Sequence, residues 1–485
     1  MIDFPKIAQL RTVEEFRGHL REQRIDLPVD DVILSGPQGS PLASPLALGM
    51  LHCGNRWCIH PMEGWDAEPD GSPSPLTIRR WRQFGISGAK LIWGGEAAAV
   101  DPAGRANPRQ TLATDSNAAG LRRLLETLRD AHREQFATTD DLVVGLQLTH
   151  SGRFCKPLPD GKFRPRIAYH HPLLDRKFGV DPADASVVWT DRELEQLIEQ
   201  FVDAARRARD IGFQFVDVKA CHGYLLHEFL SARTRPGRFG GDLEGRSRLL
   251  TTIVQRIRES VAGLEVVVRL SAFDTIPYQR GDGAGVPMEH EQLIPYLWGF
   301  GIDQQRPSQV DLAETIALLT SLKSLGVVAV NVSCGSPYYN PHLMRPAAFP
   351  PSDGYLPPED PLVGVARQIA VARQCKRAVP DLVMVGSGYS YLQDYLPHVA
   401  QAVVREQAID AVGLGRMVLS YPELPADTLL RGVWQRKRVC RTFSDCTTAP
   451  RNQLVSGCYP LDPFYKSLAE YERLREIKQQ SKQSA

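Results

Sequence analysis

Four chemically active side chains stand close together near the middle of the chain. They are Lys219, Cys221, His222 and Tyr224, and they follow an apolar, strand-like run over residues 213–218. Reactive groups in α/β proteins gather at the carboxyl ends of strands, where the loops meet at one mouth. This stretch therefore predicts an active site with several proton donors. The alternative is a polar connection between a strand and a helix, without a role in catalysis.

Two glycine-rich turns further along the chain indicate a bound phosphate group. Residues 386–388 read GSG and residues 413–416 read GLGR, and each turn directly follows an apolar run. Glycines let backbone N–H groups approach phosphate oxygens, and an arginine adds a charged bidentate contact. In eight-stranded α/β barrels the loops after strands seven and eight often bind phosphate. Two ordinary glycine turns are the alternative.

Composition excludes several classes of function. The 485 residues carry 57 basic and 56 acidic side chains, so no net field favours nucleic acid or an anionic membrane. The first residues lack a signal-peptide pattern, and no apolar run is long enough to span a bilayer. We therefore expect a soluble, cytoplasmic protein that binds small molecules, with no nucleic-acid or membrane partner. An oligomer is compatible with the sequence.

Strand-like runs alternate with amphipathic helices along most of the chain. The predicted strands cover residues 56–61, 89–93, 141–148, 213–218, 264–270, 327–333, 382–385 and 409–412. The predicted helices cover residues 13–23, 76–85, 117–135, 191–211, 249–262, 312–325, 363–378 and 391–406. Eight strands, each buried on both faces, predict an α/β fold of the (β/α)8 TIM-barrel type. No GxGxxG follows the first strand, which disfavours an open dinucleotide-binding sheet.

The predicted barrel occupies only part of the chain. We expect an N-terminal lead-in over residues 1–43, the barrel over 44–430 and a C-terminal extension over 431–485. Two long insertions, residues 151–188 and 272–309, are expected to shape the substrate pocket. The aromatic residues expected to take part are Tyr278, Trp298, Tyr338 and Tyr339.

Six motifs in a fixed order resemble the old yellow enzyme family of FMN-dependent oxidoreductases. They are SPLALG…GNRWCIHPM, GGEAAAV, GLQLTHSGR, HGYLLHEFLS with its RFGG…EGR tail, VVVRLS, and VGSGY with DAVGLGR. The resemblance covers roughly residues 42–430. An acidic, glycine-containing segment after the first strand and the C-terminal cysteines resemble, more narrowly, the 2,4-dienoyl-CoA reductase and trimethylamine dehydrogenase branch. The additional C-terminal domains of that branch are not expected here, so a reducing nucleotide would meet the flavin directly.

The resemblance implies an FMN that lies across the mouth of the barrel. Around its ring system the implied contacts are Pro61, Met62, Ala97, Gln147 and Arg269. At its phosphate they are Ser387, Gly388, Gly415 and Arg416, in agreement with the glycine-rich turns. Arg269 also has a physical reason, because a fixed guanidinium stabilises the negative charge of reduced flavin. A buried strand arginine without an anion would be costly.

The chemistry that the resemblance implies is a transfer of hydride from NAD(P)H through flavin N5 to an activated alkene, or a related dehydrogenation. His222 would polarise the substrate carbonyl, and Tyr224 would supply the proton. Lys219 departs from the family pattern at the first donor position. It either holds a carbonyl or carboxylate of the substrate, or forms a structural ion pair, with Glu63 as the candidate partner.

Two further functions remain open at this point. The barrel could bind a phosphorylated metabolite without flavin chemistry, with Lys219 clamping the ligand. Alternatively, Lys219 could form an imine, as strand-end lysines of Schiff-base lyases do.

Cysteines near the C-terminus form a candidate metal site. The chain has nine cysteines, an odd number that disfavours a disulfide framework. Cys440, Cys446 and Cys458 stand in a C-x5-C-x11-C array. The 2,4-dienoyl-CoA reductase branch binds a [4Fe–4S] cluster with four cysteines in a comparable segment, but Phe443 stands where the additional one is expected. The three thiols either bind a cluster or metal with another ligand, or remain free.

Overall fold

Eight parallel strands close into a barrel in the computed structural model, which describes residues 4–483. They are β1 Trp57–Ile59, β2 Leu91–Ile92, β3 Val143–Thr149, β4 Phe215–Ala220, β5 Glu265–Ser271, β6 Ala329–Ser333, β7 Val383–Gly386 and β8 Ala411–Leu414. Each strand pairs with the next in parallel, and β8 pairs with β1 through Val412 and Trp57. The predicted (β/α)8 TIM barrel is confirmed.

Helices cover the outside of the barrel. In chain order they are α1 Val13–Glu22, α2 Pro75–Gly85, α3 Ala118–Phe136, α4 Pro172–Phe178, α5 Asp191–Ile211, α6 Leu225–Leu230, α7 Leu243–Ser260, α8 Ala313–Ser324, α9 Pro341–Met344, α10 Pro361–Ala378, α11 Leu396–Arg405, α12 Met417–Ser420, α13 Leu424–Arg431, α14 Asp445–Arg451, α15 Pro463–Lys466 and α16 Glu470–Gln483. Of these, α2, α3, α5, α7, α8, α10, α11 and α13 follow β1 to β8 in turn. No helix within residues 4–483 is long and apolar enough to cross a membrane.

Helix α5 shows how the sequence determines one of these elements. Thr190 caps its first turn by accepting a hydrogen bond from the Glu193 backbone, and Glu193 bonds back to the Thr190 backbone. Such a cap is worth about 1 kcal/mol. The helix buries a continuous apolar face against the barrel and ends at Gly212, whose φ of 110° is favourable for glycine. The predicted helix over residues 191–211 is thus confirmed.

Short hairpins and loops complete the two ends of the barrel. A hairpin of Leu46–Leu48 and Leu51–Cys53 closes the amino end, where its leucines pack against Trp93 and Phe215. The insertion at residues 272–309 contains a second hairpin, Tyr278–Arg280 with Gly285–Pro287. These elements leave the carboxyl end of the barrel as the open mouth.

Residues 440–458 of the C-terminal extension lie over that mouth, and we call them the roof segment. The Ser456 backbone N–H donates to the Gly64 carbonyl at 3.3 Å, and Arg451 Nη2 donates to the Pro337 carbonyl at 2.7 Å. The roof segment is therefore fixed to the loops that follow β1 and β6. A cavity remains between it and the strand ends.

Candidate active site

This cavity brings together most of the residues that the sequence predicted. Those that line it are Pro61, Met62, Gln147, Lys219, His222, Tyr224, Arg269, Ser387, Gly388, Gly415, Arg416 and Cys446. Their strands are adjacent in the barrel, so their carboxyl ends converge. Ala97 is not in the lining: it is buried in a short strand beside β3, and its carbonyl accepts a hydrogen bond from Gln110 Nε2.

Arg269 gives the floor of the cavity a buried positive charge. It lies in β5, two residues before the strand ends at Ser271, and only 7% of its surface is exposed. Its Nε has no hydrogen-bond partner, and Arg269 forms no ion pair with any residue in the described range 4–483. A buried guanidinium in this state requires an anionic or hydrogen-bonding ligand. This orphaned donor fits the cofactor predicted at the mouth.

Gln147 is held in position next to Arg269 by an acidic residue in the barrel interior. Its Nε2 donates to Asp217 Oδ2 at 2.5 Å. Burial raises the pKa of Asp217 to about 6, although the bond from Gln147 and the charge of Arg269 oppose this shift. The Gln147 amide therefore has a defined orientation before any ligand binds.

His222 adopts a strained backbone conformation at the end of β4. Its φ is 67°, in the left-handed region, and its backbone N–H donates to Ser271 Oγ at 3.0 Å. The imidazole Nε2 lies 3.1 Å from Ser333 Oγ. Burial, together with the positive charges of Arg269 and Lys219, holds the pKa of His222 well below its usual range. The ring is therefore a neutral hydrogen-bonding group at neutral pH.

Tyr224 presents a phenol that retains its proton. Its hydroxyl lies 3.1 Å from the Tyr338 hydroxyl and 3.5 Å from Glu63 Oε2. Burial raises the pKa of Tyr224 well above its usual value, and the negative charge of Glu63 raises it further. Such a phenol gives up its proton only to a strong base that forms beside it.

Lys219 forms the ion pair that was one of its two predicted roles. Its Nζ lies 2.5 Å from Glu63 Oε1 and 4.0 Å from the centre of the Tyr224 ring. Imine formation requires a free amine, and the amine of Lys219 is held by Glu63. The ion-pair prediction is confirmed, and the Schiff-base alternative loses its support.

Two arginines lie at the other end of the cavity. Arg416 Nη2 donates to the Pro346 carbonyl at 2.9 Å, while its Nη1 is buried and has no hydrogen-bond partner among residues 4–483. Arg345, which the sequence analysis missed, donates to the hydroxyls of Ser444 and Thr447. Burial, followed by repulsion from Arg416, lowers the pKa of Arg345 to about 9. Neither guanidinium has a carboxylate partner within the described chain, so this end is suited to a phosphate dianion.

The glycine-rich turns allow close approach at this same end. Gly388 has a φ of 90°, and a side chain there would collide with Gln368. The Ser387 hydroxyl, in contrast, is engaged inside the barrel, 3.0 Å from Asn331 Oδ1 and 3.2 Å from His60 Nε2. Ser387 therefore has its backbone, rather than its hydroxyl, available to a phosphate.

The two long insertions, which were expected to shape the substrate pocket, do not border the cavity directly. No residue from 151–188 or 272–309 lines it, and Trp298 packs instead against Tyr296. Tyr338 does line the cavity, and Phe154 stacks on its outer face at 3.9 Å between ring centres. Residues of the roof segment line the cavity instead. The first insertion supports the cavity wall from outside, through the stacking of Phe154 on Tyr338.

The three C-terminal cysteines line a second, smaller cavity beside Arg416. Cys446 borders both cavities, whereas Cys440 and Cys458 border only the smaller one. Burial raises the pKa of Cys440 and of Cys458. Within the described residues, no group of three or more His, Cys, Asp or Glu side chains is arranged to hold a metal ion. The metal or cluster at these cysteines remains a prediction.

Relatives among characterised proteins share this chain's sequence pattern. A metal reductase from Desulforamulus reducens is 26% identical over 390 residues, which is 80% of this chain and 48% of that protein. An NADPH dehydrogenase from Bacillus subtilis is 28% identical over 240 residues, 48% of this chain and 64% of that protein. The chain thus spans about half the length of the metal reductase.

A solved structure and a family model agree with these relatives. The structure of 2-naphthoyl-CoA reductase with 2-naphthoyl-CoA matches with a TM-score of 0.63 at 19% identity, covering 88% of this chain and 57% of that one. At this identity the match shows a shared fold. The model of the NADH:flavin oxidoreductase / NADH oxidase family matches residues 41–294, more than half of the chain. The chain therefore belongs to the NADH:flavin oxidoreductase / NADH oxidase family, whose oxidoreductases use FMN.

Proposed function

We propose that the protein takes hydride from NADH or NADPH and reduces the carbon–carbon double bond of an α,β-unsaturated carbonyl compound. One observation carries this proposal: a single cavity holds an anion-binding end, a buried free guanidinium and a pair of substrate-facing donors. These are the Arg345–Arg416 pair, Arg269, and His222 with Tyr224. A barrel that only bound a phosphorylated metabolite would not need the strained His222 and the buried phenol.

FMN fits the residues that the cavity presents. The phosphate would be held by Arg345, Arg416 and the backbone around Gly388 and Gly415, where donors are unsatisfied or closely approachable. Around the ring system the proposed contacts are the lining residues Pro61, Met62, Gln147 and Arg269. Bound FMN supplies a two-electron carrier between the nicotinamide nucleotide and the substrate. Arg269 places a fixed positive charge that favours the more negatively charged form of that carrier.

The substrate carbonyl would meet His222. Its neutral imidazole can donate a hydrogen bond to an oxygen on which negative charge develops, and Ser333 Oγ, 3.1 Å from Nε2, helps to hold the ring. Tyr224 holds a proton for the carbon next to the carbonyl. Since burial keeps this phenol protonated, it acts as a general acid and not as a base.

We also infer a relationship to the 2,4-dienoyl-CoA reductase and trimethylamine dehydrogenase branch. It is supported by the cysteine-containing roof segment beside the phosphate end. Membership of this branch would favour acyl thioesters among the candidate substrates.

Absorption and half-reaction kinetics test the proposal. Protein purified with FMN should show a flavin spectrum that NADH or NADPH bleaches under anaerobic conditions. Adding an enone or enoyl thioester should restore the spectrum, whereas the saturated analogue should not. Protein that binds no FMN after reconstitution would contradict the proposal. Borohydride trapping of a carbonyl compound on Lys219 would support the Schiff-base alternative instead.

A further inference from the structure

We propose that Lys219 and Glu63 form a proton relay that restores the proton of Tyr224 after each turnover. The inference rests on the proposed alkene reduction and assigns to Lys219 a task other than binding the carbonyl. It also gives a role to Glu63, which directly follows the predicted flavin contact Met62.

Glu63 lies at the centre of a group of donors. Its Oε1 is 2.5 Å from Lys219 Nζ, and its Oε2 is 3.0 Å from Trp65 Nε1 and 3.5 Å from the Tyr224 hydroxyl. One carboxylate thus connects an ammonium on one oxygen with the phenol on the other. The indole N–H of Trp65 orients this carboxylate but does not exchange its proton in the cycle.

Lys219 is placed to compensate the charge that Tyr224 acquires. Its Nζ lies 4.0 Å from the centre of the phenol ring, and its side chain is only 3% exposed. A phenolate formed at Tyr224 would lie beside this cation as well as beside the Glu63 carboxylate. Moving a proton from Lys219 to the phenolate removes the repulsion between the phenolate and Glu63.

The proton transfers balance when one proton enters from solvent in each turnover. The O–H bond of Tyr224 breaks as a C–H bond forms on the substrate, which leaves a phenolate. The Lys219 ammonium gives a proton to Glu63 Oε1, and the carboxyl group that forms then turns and gives this proton to the phenolate, so Glu63 is again a carboxylate. The neutral amine then takes up one proton from the acid of the bulk solvent, a hydronium ion or a buffer acid, and no electrons move in these steps.

Other charged and titratable groups surround the relay. Cys221 and His222 lie on the β4 side of the relay, and Glu96 lies at the end of β2. Arg269 lies on the floor of the cavity, and Tyr338 and Arg451 lie towards the roof segment. Among the described residues, Lys219 is the cation that forms an ion pair with Glu63. Tyr338 shares a hydrogen bond with Tyr224, but its own pKa is raised by burial, so it is a poor source of protons.

A comparison of first-turnover and steady-state rates tests the relay. Glu63→Gln cannot pass a proton, and Lys219→Arg retains the ion pair but not a proton that is easily released. In both variants of the FMN-loaded protein, reduced enzyme mixed with one equivalent of enone should react no more slowly than the wild type, because Tyr224 starts protonated. Steady-state kcat should fall roughly 100-fold, the lower end of what a positioned proton donor contributes. Glu359→Gln, which alters an ion pair with Arg367 outside the cavity, should change neither rate.

Three outcomes would overturn the relay. The first turnover could fall as much as kcat, which would show that Glu63 and Lys219 only position Tyr224. Lys219→Arg could restore full kcat, which would show that only the positive charge matters. Both rates could also remain at the wild-type level.

A second measurement requires no substrate and separates the relay from the proposed function. Ultraviolet difference titration against Tyr224→Phe reports the ionisation of Tyr224 in the FMN-loaded protein. The pKa of Tyr224 should fall towards its usual value in Glu63→Gln, because the opposing carboxylate is gone, and an unchanged pKa overturns the relay. A wild-type protein that reduces no alkene would overturn the proposed function, whatever this titration shows.

Discussion

Arg345 and Arg416 face the same end of the cavity and repel each other, and no carboxylate of residues 4–483 forms an ion pair with either. Arg345 is held by two hydroxyls of the roof segment, Ser444 and Thr447, and Arg416 by the carbonyl of Pro346. None of these neutral partners cancels the two positive charges. The pair therefore stores electrostatic repulsion that a phosphate would relieve.

Replacing either arginine should weaken FMN binding through the phosphate alone. Arg345→Ala or Arg416→Ala should raise the Kd for FMN roughly 10- to 150-fold, from about 1.5–3 kcal/mol for a charged hydrogen bond. The Kd for riboflavin, which lacks the phosphate, should change little. Fluorescence titration of the apoprotein with both compounds measures this, and an equal loss for both would contradict the assignment.

Arg269→Ala should make bound FMN harder to reduce. Removing the buried cation withdraws about 1.5–3 kcal/mol of stabilisation from the reduced form, which corresponds to a fall of about 30–60 mV in the two-electron potential. In Arg269→Lys, which retains a positive charge, the two-electron potential of FMN should fall less. Anaerobic titration against a reference dye gives the potentials, and a value equal to that of the wild type would refute the role of Arg269.

Tyr224→Phe should separate the two half-reactions. We expect alkene reduction to slow by about 10²–10⁴-fold, because the positioned acid is lost while the cavity keeps its shape. Reduction of the flavin by the nicotinamide nucleotide should remain at the wild-type rate, since it needs no proton from Tyr224. Stopped-flow absorbance follows both reactions, and an equal loss in both would show that Tyr224 has a structural role instead.

Asp217 should make stability depend on pH in a direction unusual for an aspartate. Burial raises its pKa to about 6 from 3.8, so the folded state binds the proton more tightly. The stabilisation that protonated Asp217 gives the folded state is fully present below about pH 4 and is lost as pH rises through about 6. Relative to wild type, the free energy of unfolding of Asp217→Asn should therefore rise by roughly 2 kcal/mol between pH 4 and pH 7, because a tenfold difference in proton affinity between the folded and unfolded states is worth about 1.36 kcal/mol.

Urea denaturation of both proteins at equal FMN saturation measures this difference. Asp381→Asn serves as the control, because Asp381 is an exposed partner of Lys323. The control should follow the wild-type curve, with at most a small effect of opposite sign. A constant difference between Asp217→Asn and wild type across this pH range would contradict the raised pKa.

Cys446 should be the most reactive of the three C-terminal thiols. It is partly exposed, borders the cavity and lies beside Arg345, whereas Cys440 and Cys458 are buried. Brief alkylation followed by peptide mapping should label Cys446 first in the apoprotein, and FMN should protect it. Equal labelling of all three would contradict this order. Iron, zinc and acid-labile sulfide assays of anaerobically prepared protein test the predicted cluster or metal.

Local patterns predicted the strands that are long and continuously apolar. Strands β3, β5 and β6 lie within two residues of their predicted bounds, because Val- and Leu-rich runs bounded by turns leave little ambiguity. Strand β2 was predicted over residues 89–93 but pairs only at Leu91–Ile92, since Gly94 and Gly95 turn the chain with φ of 140° and 47°. The domain limits at residues 43 and 430 remain a prediction.

Site residues at strand ends were predictable, whereas those brought in by distant segments were not. Lys219, His222 and Tyr224 are neighbours in sequence, so a single motif revealed them. Arg345 lies within a proline-rich stretch, residues 337–361, that has no periodic pattern, and its contact with Ser444 joins residues 99 apart. The roof segment likewise reaches the cavity through tertiary packing, which no local pattern encodes.

Because β1 pairs with β8, the proposed FMN site can form only after nearly the whole barrel has been translated. The His60 backbone N–H donates to the Leu414 carbonyl at 2.9 Å, and a side chain at Gly415 would lie 3.4 Å from Met62 Sδ. The seam between β1 and β8 thus joins the first barrel strand to be translated with the last. A nascent chain still short of Arg416 lacks both the seam and half of the phosphate clamp. Flavin absorbance of nascent chains on arrested ribosomes would therefore report the chain length at which the barrel closes.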